Sequence, residues 1–474
     1  MLKLLLAVAL ALEGDGTTPL HRAVYNNDVS AVDKLIKSGA DVNARNEYGS
    51  TPMLEAVSNG NVTILERLLK AGAEVNSPGP DGMTPLMIVA RGTNTKAAKL
   101  LLDNGANVNA VEQQRKQTAL MWASAQSQGP MVRLLVAHGA DVNARALVNP
   151  VATAMFSTAS PTDWLSNVTV EPRATYRAAG GLTPLLYATR EGCLECVTAL
   201  VEGGANVNLQ DPEGVTPLMM AVQNMHFNTA AYLIKAGANV DKWDFWGRNA
   251  LYLAVDVNTI PRGGRPDRPS LDETTGLQVI AMILEAGANP NLQLKLLPPY
   301  RNVGADRGVD QMLTIGATPL LRAAKALDAP AIELLLKHGA NPNLPNMRGT
   351  TPVMAAAGLG SVDADTRGVY TTEDTALRSV ASLKLILDAG GEINAKDNIR
   401  GQTPLHGASF WGWNAAVELL VARGADLDAK DNNGRTVIDS ALGKAGGNSR
   451  GGQRIDVHED TAELLRKLMD ARQR

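Results

Sequence analysis

The sequence predicts an all-α solenoid of about eleven helix–turn–helix repeats, and three observations support this prediction. A Thr-Pro-Leu string, intact or degraded, recurs at intervals of 33 residues, as from Thr18 to Thr51. A second string, Gly-Ala followed by a polar residue, recurs at the same interval, as from Gly39 to Gly72. Aromatic residues make up only 4% of a chain that is 45% hydrophobic, which is typical of a core built in thin layers. The Thr-Pro-Leu strings begin at Thr18, Thr51, Thr84, Thr118, Thr183, Thr216, Asn249, Thr318, Thr351, Thr403 and Thr436.

Each part of the repeat has a physical reason. Thr18 can cap a first helix whose first residue is Pro19, a position where no backbone donor is needed. A second helix follows over 31–37, with apolar residues at helical spacing. Gly39 ends it as a left-handed cap, and the next residues turn back as a hairpin-like finger. Since no single repeat buries its apolar face, stacking must build one continuous core.

The string at 18–23, which reads TPLHRA, matches the ankyrin signature T-P-L-H-x-A in full, and the period matches as well. The chain therefore resembles the ankyrin-repeat family over about 15–471. It looks most like the long bacterial ankyrin proteins with irregular fingers, and this resemblance favours a periplasmic or secreted location over a cytoplasmic one. It also implies a binding function, with partners contacting the fingertips and the exposed face of each first helix.

The period predicts a single solenoid over 15–474, preceded by an apolar segment at 1–14 that is either a shortened secretory signal or a cap on the first repeat. Five inserts respect the register of the repeat, so they are expected to be surface loops. Such loops often lie on a binding face, but neutral drift also tolerates them. The predicted inserts are 146–178, 256–275, 292–314, 358–377 and 443–457.

Composition and motifs argue against catalysis, metal binding and cofactors. The net charge of −3 provides no global field for nucleic acid, and no apolar run is long enough to span a membrane. The histidines are scattered, and no hydrolase, zinc-protease or phosphate-loop motif is present. Cys193 and Cys196 have C-x-x-C spacing at the start of a second helix. We interpret Cys196 as a buried thiol in ordinary packing rather than as a redox residue.

The predicted function is a non-catalytic scaffold that binds a protein or peptide through the concave helix face and the finger loops. The fourth residue after each Thr gives a row of first-helix positions that is apolar in its middle, and two further groups of aromatic residues are candidate anchors. For all of these residues the alternative is packing on neighbouring repeats. For Phe410 and Trp411, packing and partner binding explain the pattern equally well. The candidates are Ile88, Trp122, Tyr187, Met220 and Leu253 in the row, Trp243, Phe245 and Trp246 at one fingertip, and Phe410 and Trp411 in the tenth repeat.

Other functions remain open at this stage. The inserted fingers could drive self-association into oligomers or filaments, and the aromatic groove could bind a sugar or another small ligand. An enzyme built on loops would use Cys193 or the stretch Asp363–Asp365. For the core, the register places Leu100 inside, where truncation to Ala would cost about 2–5 kcal/mol.

Overall fold

The computed structural model describes residues 14–153, 176–258, 270–296, 314–360, 372–444 and 457–473. These ranges contain 22 helices and one two-stranded sheet, which confirms the predicted fold class. The chain divides into two compact units, Met1–Asn224 and Met225–Arg474, and each is described by itself. The predicted apolar segment, apart from Gly14, the central part of each predicted insert and the candidate stretch Asp363–Asp365 lie outside the described residues.

In the first unit, the described helices alternate between the first and second helix of each repeat, and a two-stranded antiparallel hairpin lengthens the fourth finger. The elements are α1 (Pro19–Tyr25), α2 (Val29–Lys37), α3 (Pro52–Asn59), α4 (Val62–Lys70), α5 (Pro85–Ala90), α6 (Thr95–Asp103), α7 (Ala119–Ala125), α8 (Gly129–Ala137), β1 (Val148–Thr153), β2 (Tyr176–Gly180), α9 (Pro184–Glu191), α10 (Leu194–Glu202) and α11 (Pro217–Gln223).

The second unit begins with the second helix of the sixth repeat and continues the same alternation. Its described helices are α12 (Phe227–Lys235), α13 (Ala250–Asn258), α14 (Gly276–Glu285), α15 (Pro319–Lys325), α16 (Ala329–Lys337), α17 (Pro352–Ala356), α18 (Thr372–Asp388), α19 (Pro404–Phe410), α20 (Asn414–Ala422), α21 (Val437–Ala441) and α22 (Glu459–Gln473).

Threonine caps the first helices, as the sequence predicts. In α1 the Thr18 hydroxyl accepts the backbone N–H of His21, and Pro19 occupies the first turn. The His21 ring then joins the cap, because its Nδ1 lies 2.8 Å from the Thr18 hydroxyl. The cap thus satisfies one of the free N-terminal N–H groups of the helix within its own repeat. The same side-chain cap occurs at Thr51, Thr84, Thr118, Thr183, Thr216, Thr318 and Thr351.

The second helices begin and end on signals of their own. Asp28 and Asn61 cap α2 and α4 by accepting a backbone N–H three residues later. At the other end Gly39 and Gly72 have φ of +84° and +88°, a left-handed conformation that side chains disfavour. This confirms the predicted role of the recurrent glycine.

The buried leucine of α6 differs from the prediction by one position. In α6, Leu101 is fully buried whereas Leu100 is only partly buried. The prediction for Leu100 is therefore wrong. Three consecutive leucines occupy 100–102, so the apolar pattern alone does not reveal which one points inward.

Within each unit, a ladder of asparagine side chains connects several fingers to the next repeat. The Asn109 amide donates to the Gly139 carbonyl at 3.1 Å, and its Oδ1 accepts the Asp141 N–H at 2.8 Å. At Asn143 the corresponding partner is Asn206, 63 residues away rather than 32, because the ladder passes over the fourth-finger insert. Both bonds recur within each unit at Asn43, Asn76, Asn109 and Asn143 in the first and at Asn291, Asn343 and Asn394 in the second.

Candidate partner-binding surface

The first-helix row of the first unit offers three partly exposed apolar side chains, Ile88 on α5, Trp122 on α7 and Met220 on α11. The Arg91 guanidinium lies 5.0 Å from the centre of the Trp122 ring, so a cation covers part of this indole. Partly exposed apolar side chains and a basic group thus occur together at Trp122.

Tyr187, the fourth candidate of this row, is buried. Its hydroxyl accepts a hydrogen bond of 2.7 Å from the Gln117 amide, and its ring packs with Met121 and Ala146 of the preceding repeat. The Arg190 guanidinium lies 5.2 Å from the ring centre. The prediction of an exposed anchor is wrong here, because the side chain joins two repeats.

In the second unit Leu253 has no exposed surface, so its prediction as a partner contact is also wrong. Seven of the nine residues of α13 are buried, which leaves this helix without an open face of apolar side chains. The next position of the row, Arg322, is buried as well and forms an ion pair of 2.7 Å with Asp256. A charged pair therefore takes the place of an apolar groove here.

The fingertip that follows α12 is organised by one buried carboxylate. Asp244 accepts the backbone N–H groups of Trp246 and Arg248, and it pairs with the Arg248 side chain at 2.7 Å. Both charged side chains are almost completely buried, and the guanidinium lies 4.7 Å from the centre of the Trp246 ring. Trp246 is thus buried within the finger, and its prediction as a partner contact is wrong.

Trp243 and Phe245, by contrast, point to solvent, with exposed fractions of 49% and 42%. The Lys295 ammonium lies 3.8 Å from the centre of the Trp243 ring, and Phe245 packs edge-on against Trp246 at 5.6 Å. We name Trp243, Phe245 and Lys295 the aromatic fingertip. The hydrogen bonds of the buried turn beneath it fix the backbone that carries Trp243 and Phe245.

Sequence reasoning missed Lys295, because 52 residues separate it from Trp243. The backbone brings them together: the Trp246 carbonyl accepts the N–H groups of Lys295 and Leu296 at 2.9 and 3.2 Å. The repeat register could have revealed this pairing, because it places a finger beside the finger of the next repeat.

In the tenth repeat, Trp411 packs on the ninth. Its indole N–H donates to the Gly358 carbonyl at 2.8 Å, and its ring stacks on that of Trp413 with 6.0 Å between centres. A side chain at position 358 would collide with both rings, so the glycine makes room for them. Phe410 is partly exposed and lies edge-on to Trp411 at 5.4 Å. The packing alternative therefore accounts for Trp411.

Two further findings concern chemistry. Among the described residues, no cluster of three or more His, Cys, Asp or Glu side chains could hold a metal ion, and no described helix is long and apolar enough to cross a membrane. Cys196 is buried, as predicted, but it is not a thiol: it forms a disulfide with Cys193. The sequence spacing permits this bond but does not reveal its redox state.

Family models for ankyrin repeats match 1–79, 53–146 and 185–260 as three-copy arrays, and 315–347 and 400–432 as single repeats. The matched segments include more than half of the chain. This chain belongs to the ankyrin-repeat family. Ankyrin-repeat proteins are typically regulators or scaffolds rather than enzymes.

Several curated ankyrin proteins are similar to parts of the chain. NF-kappa-B inhibitor alpha of Sus scrofa is 36% identical over 181 residues, which cover 38% of this chain and 52% of that protein. Protein phosphatase 1 regulatory subunit 12A of Mus musculus is 41% identical over 59 residues, 12% of this chain and 6% of that protein. The Neurogenic locus Notch protein of Drosophila melanogaster is 33% identical over 94 residues, 20% of this chain and 3% of that protein.

The chain thus spans no more than about half the length of these relatives. The ankyrin family and the names of two relatives, an inhibitor and a regulatory subunit, support a role in protein–protein interaction. All three relatives are animal proteins, so the bacterial type stays a prediction.

Proposed function

We propose that this ankyrin-repeat chain is a non-catalytic scaffold that binds a protein or peptide partner through its first-helix row and its finger loops. The aromatic fingertip is the observation that carries the proposal. Two aromatic side chains that are nearly half exposed cost free energy in water, and a partner that covered them would recover it.

The fingertip also defines the chemistry of the partner. Lys295 leaves a cation beside the Trp243 ring, and Lys242 adjoins it in the sequence. A partner segment with an apolar side chain for the rings and a carboxylate for the ammonium groups matches both features. The Ile88–Trp122 surface of the first unit, with Arg91 at its edge, has the same combination of apolar and basic groups.

The test begins with affinity capture, identification of the partner by mass spectrometry and measurement of its Kd. We expect Trp243→Ala to weaken binding by about 2 kcal/mol or more, about 30-fold in Kd, as for other central aromatic anchors. Tyr48→Ala is the matched control, since Tyr48 is an exposed aromatic residue on a different finger. Trp122→Ala tests the first-helix row separately.

The three possible outcomes distinguish binding at the aromatic fingertip from binding elsewhere and from the absence of a partner. Loss with Trp243→Ala but not with Tyr48→Ala supports the aromatic fingertip. Equal affinities for wild type, Trp243→Ala and Trp122→Ala would exclude both surfaces, and the absence of any specific partner would argue against the scaffold function. Circular dichroism of each variant checks that the helices remain folded.

Self-association is a second candidate, favoured by the base of the fourth finger. Leu147, just before β1, and Val148, its first residue, are both exposed there. The edge of a small sheet is a place where another chain can pair. Light scattering over a dilution series tests it: a concentration-dependent mass that Val148→Lys lowers supports it, and a monomer at high concentration refutes it.

A further inference from the structure

The start of helix α10 carries a C-x-x-C disulfide with two unequal ends. Cys193 is the N-cap residue and is partly exposed, whereas Cys196 lies one turn inside the helix and is fully buried. The Cys193 Sγ is also 3.2 Å from the backbone N–H of Cys196, which it accepts. Cys193 is therefore the more accessible residue of the pair, and Cys196 is protected.

Neither helix capping nor stabilisation of the fold by a cross-link explains why two cysteines occupy these positions. Asp28, Asn61, Asn94 and Asp328 cap the corresponding helices through oxygen, a better acceptor than sulfur. The stabilisation that a disulfide gives in the chain-entropy model rises with the length of the loop that it closes. This disulfide joins residues only three apart, so it constrains very little of the unfolded chain.

The surroundings favour a reactive thiolate at Cys193 once the bond is reduced. The N-terminus of a helix stabilises negative charge, which lowers the pKa of a thiol placed there. Two neighbouring carboxylates would oppose this effect, but both are paired: Glu191 with Arg190 at 2.8 Å, and Glu195 with Arg133. The ion pairs offset the repulsion that these carboxylates would exert on the sulfur.

We propose that Cys193–Cys196 is a thiol–disulfide exchange site that reacts with small monothiols of the glutathione class. The monothiol, as thiolate, attacks the Cys193 Sγ; the bond to Cys196 breaks, and the Cys196 thiolate takes a proton from water. A second monothiolate attacks the outer sulfur of the mixed disulfide, releasing the Cys193 thiolate and the oxidised disulfide of the monothiol. The chain gains two electrons, and the reverse sequence re-forms the bond with Cys196 as the resolving residue.

Two single variants of the full chain test the assignment of roles. Reduced Cys196→Ser and reduced Cys193→Ser are each incubated with oxidised glutathione in native buffer, and adducts are counted by intact mass. We expect Cys196→Ser to form a mixed disulfide about tenfold or more faster than Cys193→Ser, since access and thiolate fraction set the rate. In urea both variants should react, which shows that the buried thiol is present and competent.

Wild type provides the second measurement. We expect dithiothreitol to reduce the disulfide while circular dichroism still reports a folded helical protein, and oxidised glutathione to restore it. If Cys193→Ser does not fold, Cys193→Asp replaces it, because aspartate caps the equivalent helix at Asp28. A bond that resists dithiothreitol until urea unfolds the chain, or single variants that react at equal rates, would overturn the proposal. Partner binding plays no part in either readout.

Discussion

Truncation of Leu101 tests the register of the core. Leu101 on α6 has no exposed surface, and this helix packs between α4 and α8 as well as on α5. Helices on several sides prevent the cavity left by Leu101→Ala from collapsing, so we expect a cost in the upper part of the usual 2–5 kcal/mol range, about 3–5 kcal/mol. The adjacent Leu100→Ala removes the same atoms from a partly exposed position and should cost about 1 kcal/mol.

Urea unfolding followed by circular dichroism compares the two variants with wild type. A repeat array need not unfold in one step, so hydrogen exchange with mass spectrometry should also be read on the peptides of α6. Protection there should fall far more in Leu101→Ala than in Leu100→Ala. Equal losses, or a larger loss in Leu100→Ala, would refute the register.

Three further predictions follow from the structure. Asn109→Ala removes both bonds of one ladder step and should cost about 1–2 kcal/mol in urea unfolding; an unchanged midpoint would show that water replaces these bonds without loss. Asp244→Ala leaves Arg248 buried without its carboxylate and should cost about 3–5 kcal/mol. Thermal unfolding measures this cost, and the exposed carboxylate Asp103 provides the control, since Asp103→Ala should be nearly neutral. Burial lowers the pKa of His406 in the folded protein, so the unfolded chain binds a proton at this residue more readily than the folded chain does. The contribution of His406 to stability is therefore complete above its ordinary pKa of 6.5 and is lost as the pH falls below that value. His406→Gln should flatten this slope in unfolding midpoints, and parallel pH profiles would contradict the assignment.

The sequence predicts most of the fold because the residues that begin and end its helices act locally. Thr18 with Pro19 opens a helix and Gly39 closes one through interactions within a few residues, so the period reveals them directly. The choice between Leu100 and Leu101 depends on packing among helices, which three adjacent leucines do not encode.

The candidate surface is harder to predict because exposure depends on residues far away in the sequence. Tyr187 is buried against the preceding repeat, where its hydroxyl accepts a hydrogen bond from Gln117, 70 residues earlier in the sequence. Trp246 is buried next to the Asp244–Arg248 ion pair, whereas Trp243, three residues before it, stays exposed beside Lys295. The position within the repeat predicts the direction in which a side chain points. Whether that side chain is buried depends on residues of neighbouring repeats.

The asparagine ladder has a consequence for how such a chain can change over generations. Each of its steps joins repeats that are neighbours in space, so the step at Asn143 forms although its partner is twice as distant along the chain as in the preceding step. The insertion in the fourth finger therefore leaves this contact between neighbouring repeats in place. A finger can thus grow longer over generations, while the contacts that stack the repeats are inherited intact.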